Sequence, residues 1–286
     1  MQFYIIARAA DLDSCARGAA SLLRYRSASQ VILVVPSSDV GVFRSIFLRN
    51  KRVSVHDERE FAPAIDRTEI GNWDISHFPD RAGWYYQQFL KMAVAEHASA
   101  EDRYVIWDGD TVAFRTMICF DTDVPLFTVH QKEFHEPYFE TNNLLIGFDR
   151  RKYVFRYSAV SQHMPVNKRD MLGLLALLSH GGSMRWWRTI GSAIEGRDGR
   201  SLFSEYELYH DYVTQVALRP YRNIQRRWFR FGNSCSFDQQ MYLRLRFDFA
   251  SYEGWDEARP WTMVSWCERW GDLRRAAAQA ARTRKQ

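Results

Sequence analysis

The sequence predicts an α/β fold built on a mainly parallel central sheet, and three observations support this. The chain opens with an apolar run at 3–7, a helical stretch and a second apolar run at 31–36, which is a β-α-β order. Further short apolar runs follow at 53–56, 104–107 and 125–130, alternating with helical stretches, as a sheet covered on both faces requires. Polar residues gather just after 7, 107 and 130, and in parallel sheets ligands bind beyond the carboxyl ends of the strands.

Each element has its own signal. Asp11 or Asp13 can cap a helix over 14–25, and the second strand ends at Pro36. A helix over 84–98 meets no breaker after Gly83. The second half is less regular: a helix over 168–179, a Trp-rich segment at 185–194, an acidic-aromatic stretch at 204–212 and an aromatic-rich, strand-like end. No internal repeat is present, and the Ala- and Arg-rich segment 271–286 reads as a basic tail.

A chain of 286 residues with 46% hydrophobic content can bury one substantial core. No window approaches the roughly 20 apolar residues of a membrane helix, since charges flank even 171–178. With no basic leader ahead of the first strand, the expected location is cytoplasmic. Four cysteines, Cys15, Cys119, Cys235 and Cys267, lack the spacing of zinc ligands or of a disulfide framework. The net charge of +5 is concentrated in 222–230 and 274–285, which suits either an anionic partner, such as a lipid or a diphosphate, or a solvated face.

Asp-x-Asp occurs at Asp11/Asp13, Asp108/Asp110 and Asp121/Asp123, so context must discriminate. Only Asp108-Gly109-Asp110 directly follows an apolar run, Tyr-Val-Ile-Trp, that would deliver two carboxylates to the end of a central strand. Gly109 would let the backbone bend and approach a ligand. Such a pair suits Mg²⁺ or Mn²⁺, which takes oxygen ligands, bridges to phosphate and neutralises a diphosphate leaving group. A solvated turn is the bland alternative. Upstream, Trp84, Gln87, Gln88 and Lys91 share one helix face, and buried amides and ammonium groups need partners that a polar ligand or a neighbouring loop would supply.

Taken in order, the motifs Gly-Trp-x-x-Gln-Gln-x-x-Lys (from Gly83), Trp-Asp-x-Asp-Thr (from Trp107), Ser-x-x-x-x-His-Met (Ser158 to Met164) and Ser-Glu-Tyr-Glu-x-Tyr (from Ser204) resemble a bacterial glycosyltransferase family of capsule and O-antigen polysaccharide loci. The resemblance covers about residues 80 to 215. It implies a GT-A fold, a nucleotide-diphospho-sugar donor, with a UDP-sugar favoured, and hexosyltransferase-like transfer to a saccharide or polyprenyl-diphosphate-linked acceptor. It further implies Asp110 as direct metal ligand and Asp108 against ribose or a metal-bound water. Asp11, Trp84, Gln87, Gln88, Lys91, Trp107, Asp108 and Gly109 would line the donor. The expected layout is one unit over 1–270, with the nucleotide-binding half about 1–130 and the acceptor half 131–270, in peripheral contact with the inner face of the membrane.

An inverting transfer also needs a proton acceptor away from the metal. Glu205 is the preferred base, with Glu207 as a structural or acceptor-orienting partner; two residues apart, they diverge in either a helix or a strand. A capping box from Ser204 to Glu207 is the competing account. His163 precedes Met164-Pro165, which disfavours helix and would leave its ring free for diphosphate, acceptor or metal. His130 and His135 flank a possible acceptor loop, and the Trp186/Trp187 pair could stack on a sugar or a membrane. Nucleic acid is disfavoured as a partner by the same carboxylates, which would repel its phosphates. A metal-dependent phosphate-ester hydrolase and an inactive GT-A-like scaffold are the rival functions.

Overall fold

The apolar runs of the first half build the sheet that positions everything else. The structure is a computed structural model and describes residues 1–252 apart from 76–80, 132, 154–155, 200, 231, 233–234 and 236. The expected tail at 271–286, the basic run 274–285 and Cys267 lie outside the described residues. In chain order the strands are β1 Gln2–Ile6, β2 Gln30–Val35, β3 Val53–Asp57, β4 Arg103–Trp107, β5 Thr111–Ala113, β6 Phe120–Asp121, β7 Val124–Thr128, β8 His163–Asn167, β9 Arg222–Ile224, β10 Trp228–Phe229 and β11 Phe249–Ser251. The α-helices are α1 Leu12–Arg24, α2 Val40–Phe47, α3 Glu58–Phe61, α4 Arg67–Gly71, α5 Arg81–Ala93, α6 Glu136–Ile146, α7 Lys168–Leu178, α8 Trp186–Ile194, α9 Glu205–Asp211 and α10 Phe237–Arg246.

The central sheet has the order β3-β2-β1-β4-β8, parallel except for the last pairing. Its strands alternate with period two. Tyr4, Ile32, Tyr104 and Val166 face one apolar layer with α5, α7, α8 and α9, whereas Phe3, Val31, Val105 and Trp107 face another with α1 and α2. Both faces are thus covered, which is why the strands read as near-continuous apolar runs.

Two expectations need correction. The run at 125–130 does not join the central sheet; β7 belongs to a small ribbon ordered β6-β7-β9. The fifth central strand is instead β8, antiparallel to β4, with His163 opposite Trp107 and Asn167 opposite Arg103. Pro165 is tolerated there because β8 is an edge, where a missing N–H breaks no ladder. The aromatic end forms short strands but also α10, and β11 returns to pair with β5. Among the described residues no helix is long and apolar enough to cross a membrane.

Candidate active site

β1 connects to β2 on one side while β4 lies on its other side, so the strand order reverses between β1 and β4. In open α/β sheets such a switch point is where ligands bind, beyond the carboxyl ends of the strands. Trp107 ends β4 and the chain turns at once through Asp108-Gly109-Asp110 into β5. Backbone bonds fix the turn: Asp108 N–H donates to Gln162 O (2.9 Å), Thr111 N–H to Asp108 O (3.0 Å) and Tyr252 N–H to Asp110 O (2.8 Å). The Trp107 indole donates to Thr111 O at 2.8 Å from below. α1 packs so tightly on this segment that a Cβ at Gly18 would lie 2.6 Å from Thr111 O.

Gly109 does not provide the conformational freedom expected of it, since its φ is not positive. A Cβ there would meet Ile5 Cγ2 at 3.4 Å and Ala7 Cβ at 3.5 Å, which is ordinary contact, so the approach to the end of β1 does not require a glycine either. On that same edge Asp11 follows β1 in a 3-10 turn. Its carboxylate pairs with Arg8 at 3.2 Å and makes no side-chain cap to α1.

Three of the residues singled out from sequence meet in one cluster. The Lys91 ammonium donates to Asp108 Oδ1 at 2.6 Å and to Glu205 Oε1 at 2.7 Å. The Tyr206 hydroxyl also donates to Asp108 Oδ1, at 2.8 Å. Burial opposes the charge on Lys91, but the two carboxylates outweigh it and hold the ammonium's pKa above its ordinary value. Burial raises Glu205, with Lys91 acting against it. Gln88 Oε1 accepts Glu205 N–H at 3.1 Å, and Gln87 donates to Ile6 O at 3.1 Å, which ties α5 to the ends of α9 and β1. Tyr206 is a member that sequence reasoning missed; it lies inside the Ser-Glu-Tyr-Glu motif, but the neighbouring carboxylates carry the more obvious chemistry.

Glu207 lies outside this cluster. Its carboxylate is fully buried against Arg150 (3.0 Å) and accepts from the Ser158 hydroxyl and Ala159 N–H. Arg150 also holds Asp211 and donates to His210 Nδ1 at 2.6 Å, so His210 carries its proton on Nε2 and gives it to Asn223 Oδ1 (3.0 Å). Ser204 makes no side-chain cap, so no capping box forms. Glu207 is structural, and Arg150, which the sequence did not flag, is its counter-charge.

Two further expectations fail on burial. Trp107 is 0% exposed between Phe3, His163 and Phe249 and cannot touch a donor. The His163 ring, expected to be free, is 1% exposed. Its Nδ1–H donates to Ser161 O (2.9 Å) and Nε2 accepts from Thr128 (3.1 Å). Burial drives its pKa down to about 3, so the ring is neutral. Trp186 and Trp187 are likewise core residues, with indoles donating to Glu96 and Ala64 O, and offer no stacking wall. The basic run 222–230 is largely matched internally, Arg222 by Asp121, Arg227 by Asp248 and Arg230 by Glu133. His135 bonds Ser201 O at 2.8 Å, and His130 packs on Trp228.

The acidic turn suits a hard divalent cation in part. Both contacts to Asp108 fall on Oδ1, leaving Oδ2 unclaimed among the described residues, and Asp108 keeps 19% of its side chain exposed. Asp110 adds a second carboxylate on the same turn, accepting from Thr111 at 3.1 Å. Among the described residues no group of three His, Cys, Asp or Glu gathers for a metal; phosphate oxygens and water are ligands that a hard cation takes readily beside two carboxylates.

Residues 8–260 match a family of unknown function, DUF6492. No curated protein matches. The structure resembles that of mouse xyloside xylosyltransferase 1, apo form, with a TM-score of 0.51 and 12% identity over 91% of this chain and 100% of that one. It also resembles an active-site mutant of LgtC (TM-score 0.49, 12% identity, 95% and 96% covered) and the bifunctional glycosyltransferase WbbM (TM-score 0.44, 10% identity, 89% and 46% covered). At such identity the likeness speaks for the fold, which is the GT-A type expected from the sequence.

Proposed function

We propose that this chain, which belongs to the family of unknown function DUF6492, is a metal-dependent glycosyltransferase that moves a sugar from a nucleotide-diphospho-sugar to a saccharide or lipid-linked saccharide. The observation that supports this most is the placement of Asp108 and Asp110 on a clamped turn at the switch point of a GT-A sheet. In this reading Asp110 and Asp108 Oδ2 hold Mn²⁺ or Mg²⁺, and the cation, when bound, neutralises charge on the leaving diphosphate. Lys91 and Tyr206 hold the Asp108 carboxylate in place through Oδ1. Glu205 anchors Lys91, so we assign it a positioning role: the residue is 2% exposed and its carboxylate is engaged by the ammonium at 2.7 Å. A UDP donor, a surface-polysaccharide product and a place at the cytoplasmic face of a membrane rest on the motif resemblance alone.

The test is a thermal-shift screen of UDP-, GDP-, CMP- and dTDP-sugars with and without Mn²⁺, repeated on Asp110→Ala. At a hundredfold excess over Kd a ligand specific for the folded state adds about 2.7 kcal/mol. We expect one nucleotide class to stabilise the wild type only with metal and to leave Asp110→Ala unmoved. Shifts that ignore metal and Asp110, or no shift at all, would favour a hydrolase or an inactive scaffold.

A further inference from the structure

α5 carries a stripe of residues that only its inner end uses. Arg81, Trp84, Gln88 and Lys91 follow at i, i+3, i+7 and i+10 and therefore share one face. Lys91 is satisfied by Asp108 and Glu205. The residues beyond it are not. Gln88 is 2% exposed, and because its Oε1 accepts Glu205 N–H the orientation of the amide is fixed. That leaves its Nε2, a buried donor, with no acceptor. Arg81 lies over the Trp84 ring at 4.7 Å, its Nε is also buried without an acceptor, and no carboxylate pairs with it among the described residues. Native structures rarely leave buried donors unpaired, so two on the helix face that leads away from Lys91 call for a ligand rich in acceptor oxygens.

Distance separates the two substrates that such a ligand could belong to. By helical rise Trp84 lies about 10 Å and Arg81 about 15 Å from Lys91 along the axis. A diphosphate gripped at Asp108 and Asp110 does not extend to Arg81. A guanidinium held flat on an indole is ordered in advance, and its fork matches a carboxylate or a phosphate.

We infer that Arg81, backed by Trp84 and extended by Gln88, is an acceptor subsite for an anionic group, carboxylate or phosphate, its outer end about 15 Å along α5 from Lys91. This rests on the transferase reading for the word acceptor, but the charge preference itself does not. The experiment is ligand-observed NMR titration of the full chain with D-glucuronate, neutral D-glucose and inorganic phosphate, on wild type, Arg81→Gln and Arg81→Lys, with nucleotide-sugar hydrolysis measured on the same preparations. Glucuronate is expected to bind the wild type at least tenfold more tightly than glucose. Arg81→Gln should erase that preference and Arg81→Lys keep part of it. Phosphate that competes with glucuronate and outbinds it assigns the anion to a phosphate or diphosphate group; glucuronate winning assigns it to an acidic sugar. Equal binding of glucuronate, phosphate and glucose, or a preference undiminished in Arg81→Gln, overturns the subsite. Hydrolysis without charge preference sinks this inference alone, whereas charge preference without hydrolysis sinks the transferase reading and leaves an anion site standing.

Discussion

Glu205 and Glu207 stand two residues apart on one helix, and each anchors a cation, yet the two clusters differ in the one respect that matters for chemistry. Around Glu207 everything is closed: Arg150 is 3% exposed, Glu207 and Asp211 0%, and every charge is matched by protein. Around Glu205 the cation is equally buried, but the second carboxylate, Asp108, reaches solvent and offers an oxygen that nothing occupies among the described residues. A buried ion network is a packing device with a high penalty for breakage. An ion network with one open carboxylate has room for a further partner, which in the proposed reading is a divalent cation.

The largest effect that would break this contrast is the loss of Arg150. Arg150→Met strands two buried carboxylates, and we expect urea unfolding to show about 3–5 kcal/mol lost. Lys91→Met strands only Glu205 fully, since Asp108 can turn to water. Its stability loss should be smaller, about 1–3 kcal/mol, while nucleotide-sugar turnover falls about a hundredfold through misplacement of the acidic turn. Equal destabilisation by both variants would refute the distinction.

An intermediate effect concerns His163, which is buried beneath Trp107 at the edge of the site. The folded ring stays neutral down to about pH 3, whereas an unfolded histidine protonates near 6.5. Between those values the unfolded chain binds more protons, so this group makes stability fall as pH drops from 6.5 towards 3, by up to about 1.4 kcal/mol per pH unit. Glu205 and Glu207, raised by burial, act in the opposite sense, so the difference between variant and wild type is the quantity to read. Thermal melts of His163→Gln should show a flatter acid limb; an unchanged limb would mean that the ring is not held neutral. The smallest effect should come from Gly109→Ala, whose new methyl meets only ordinary contacts: stability should stay within about 0.5 kcal/mol and metal-dependent donor binding should be retained.

Much of this arrangement is legible in the sequence because it is written locally. The apolar runs mark β1, β2, β3 and β4 to within a residue or two at each end, and Asp108-Gly109-Asp110 stands out by following one of them. The stripe Gln88 to Lys91 is legible as buried polarity needing partners, and the structure supplies them in Glu205 and Asp108. What fails depends on pairings across the chain. The run at 125–130 is strand-like, but no local pattern says which sheet it joins. β8 is hidden by Pro165, which argues against a strand only if the strand is central. The loop-like context of His163 conceals its position opposite Trp107. Arg150 and Glu207, far apart in sequence, leave no periodic trace of their partnership.

The acidic turn is closed from far away. Tyr252 N–H meets Asp110 O, and Ser251 lies opposite Thr111, so a strand about half the chain downstream completes the turn that β4 begins. β1, β2 and β3 can assemble as soon as they leave the ribosome, because their contacts are near in sequence. The turn cannot. During synthesis the nascent chain would carry a formed sheet edge with its two aspartates still loose, and they would become a fixed pair only when nearly all of the described chain is out. A product truncated before β11 should therefore keep most of its sheet and lose its grip on the acidic turn.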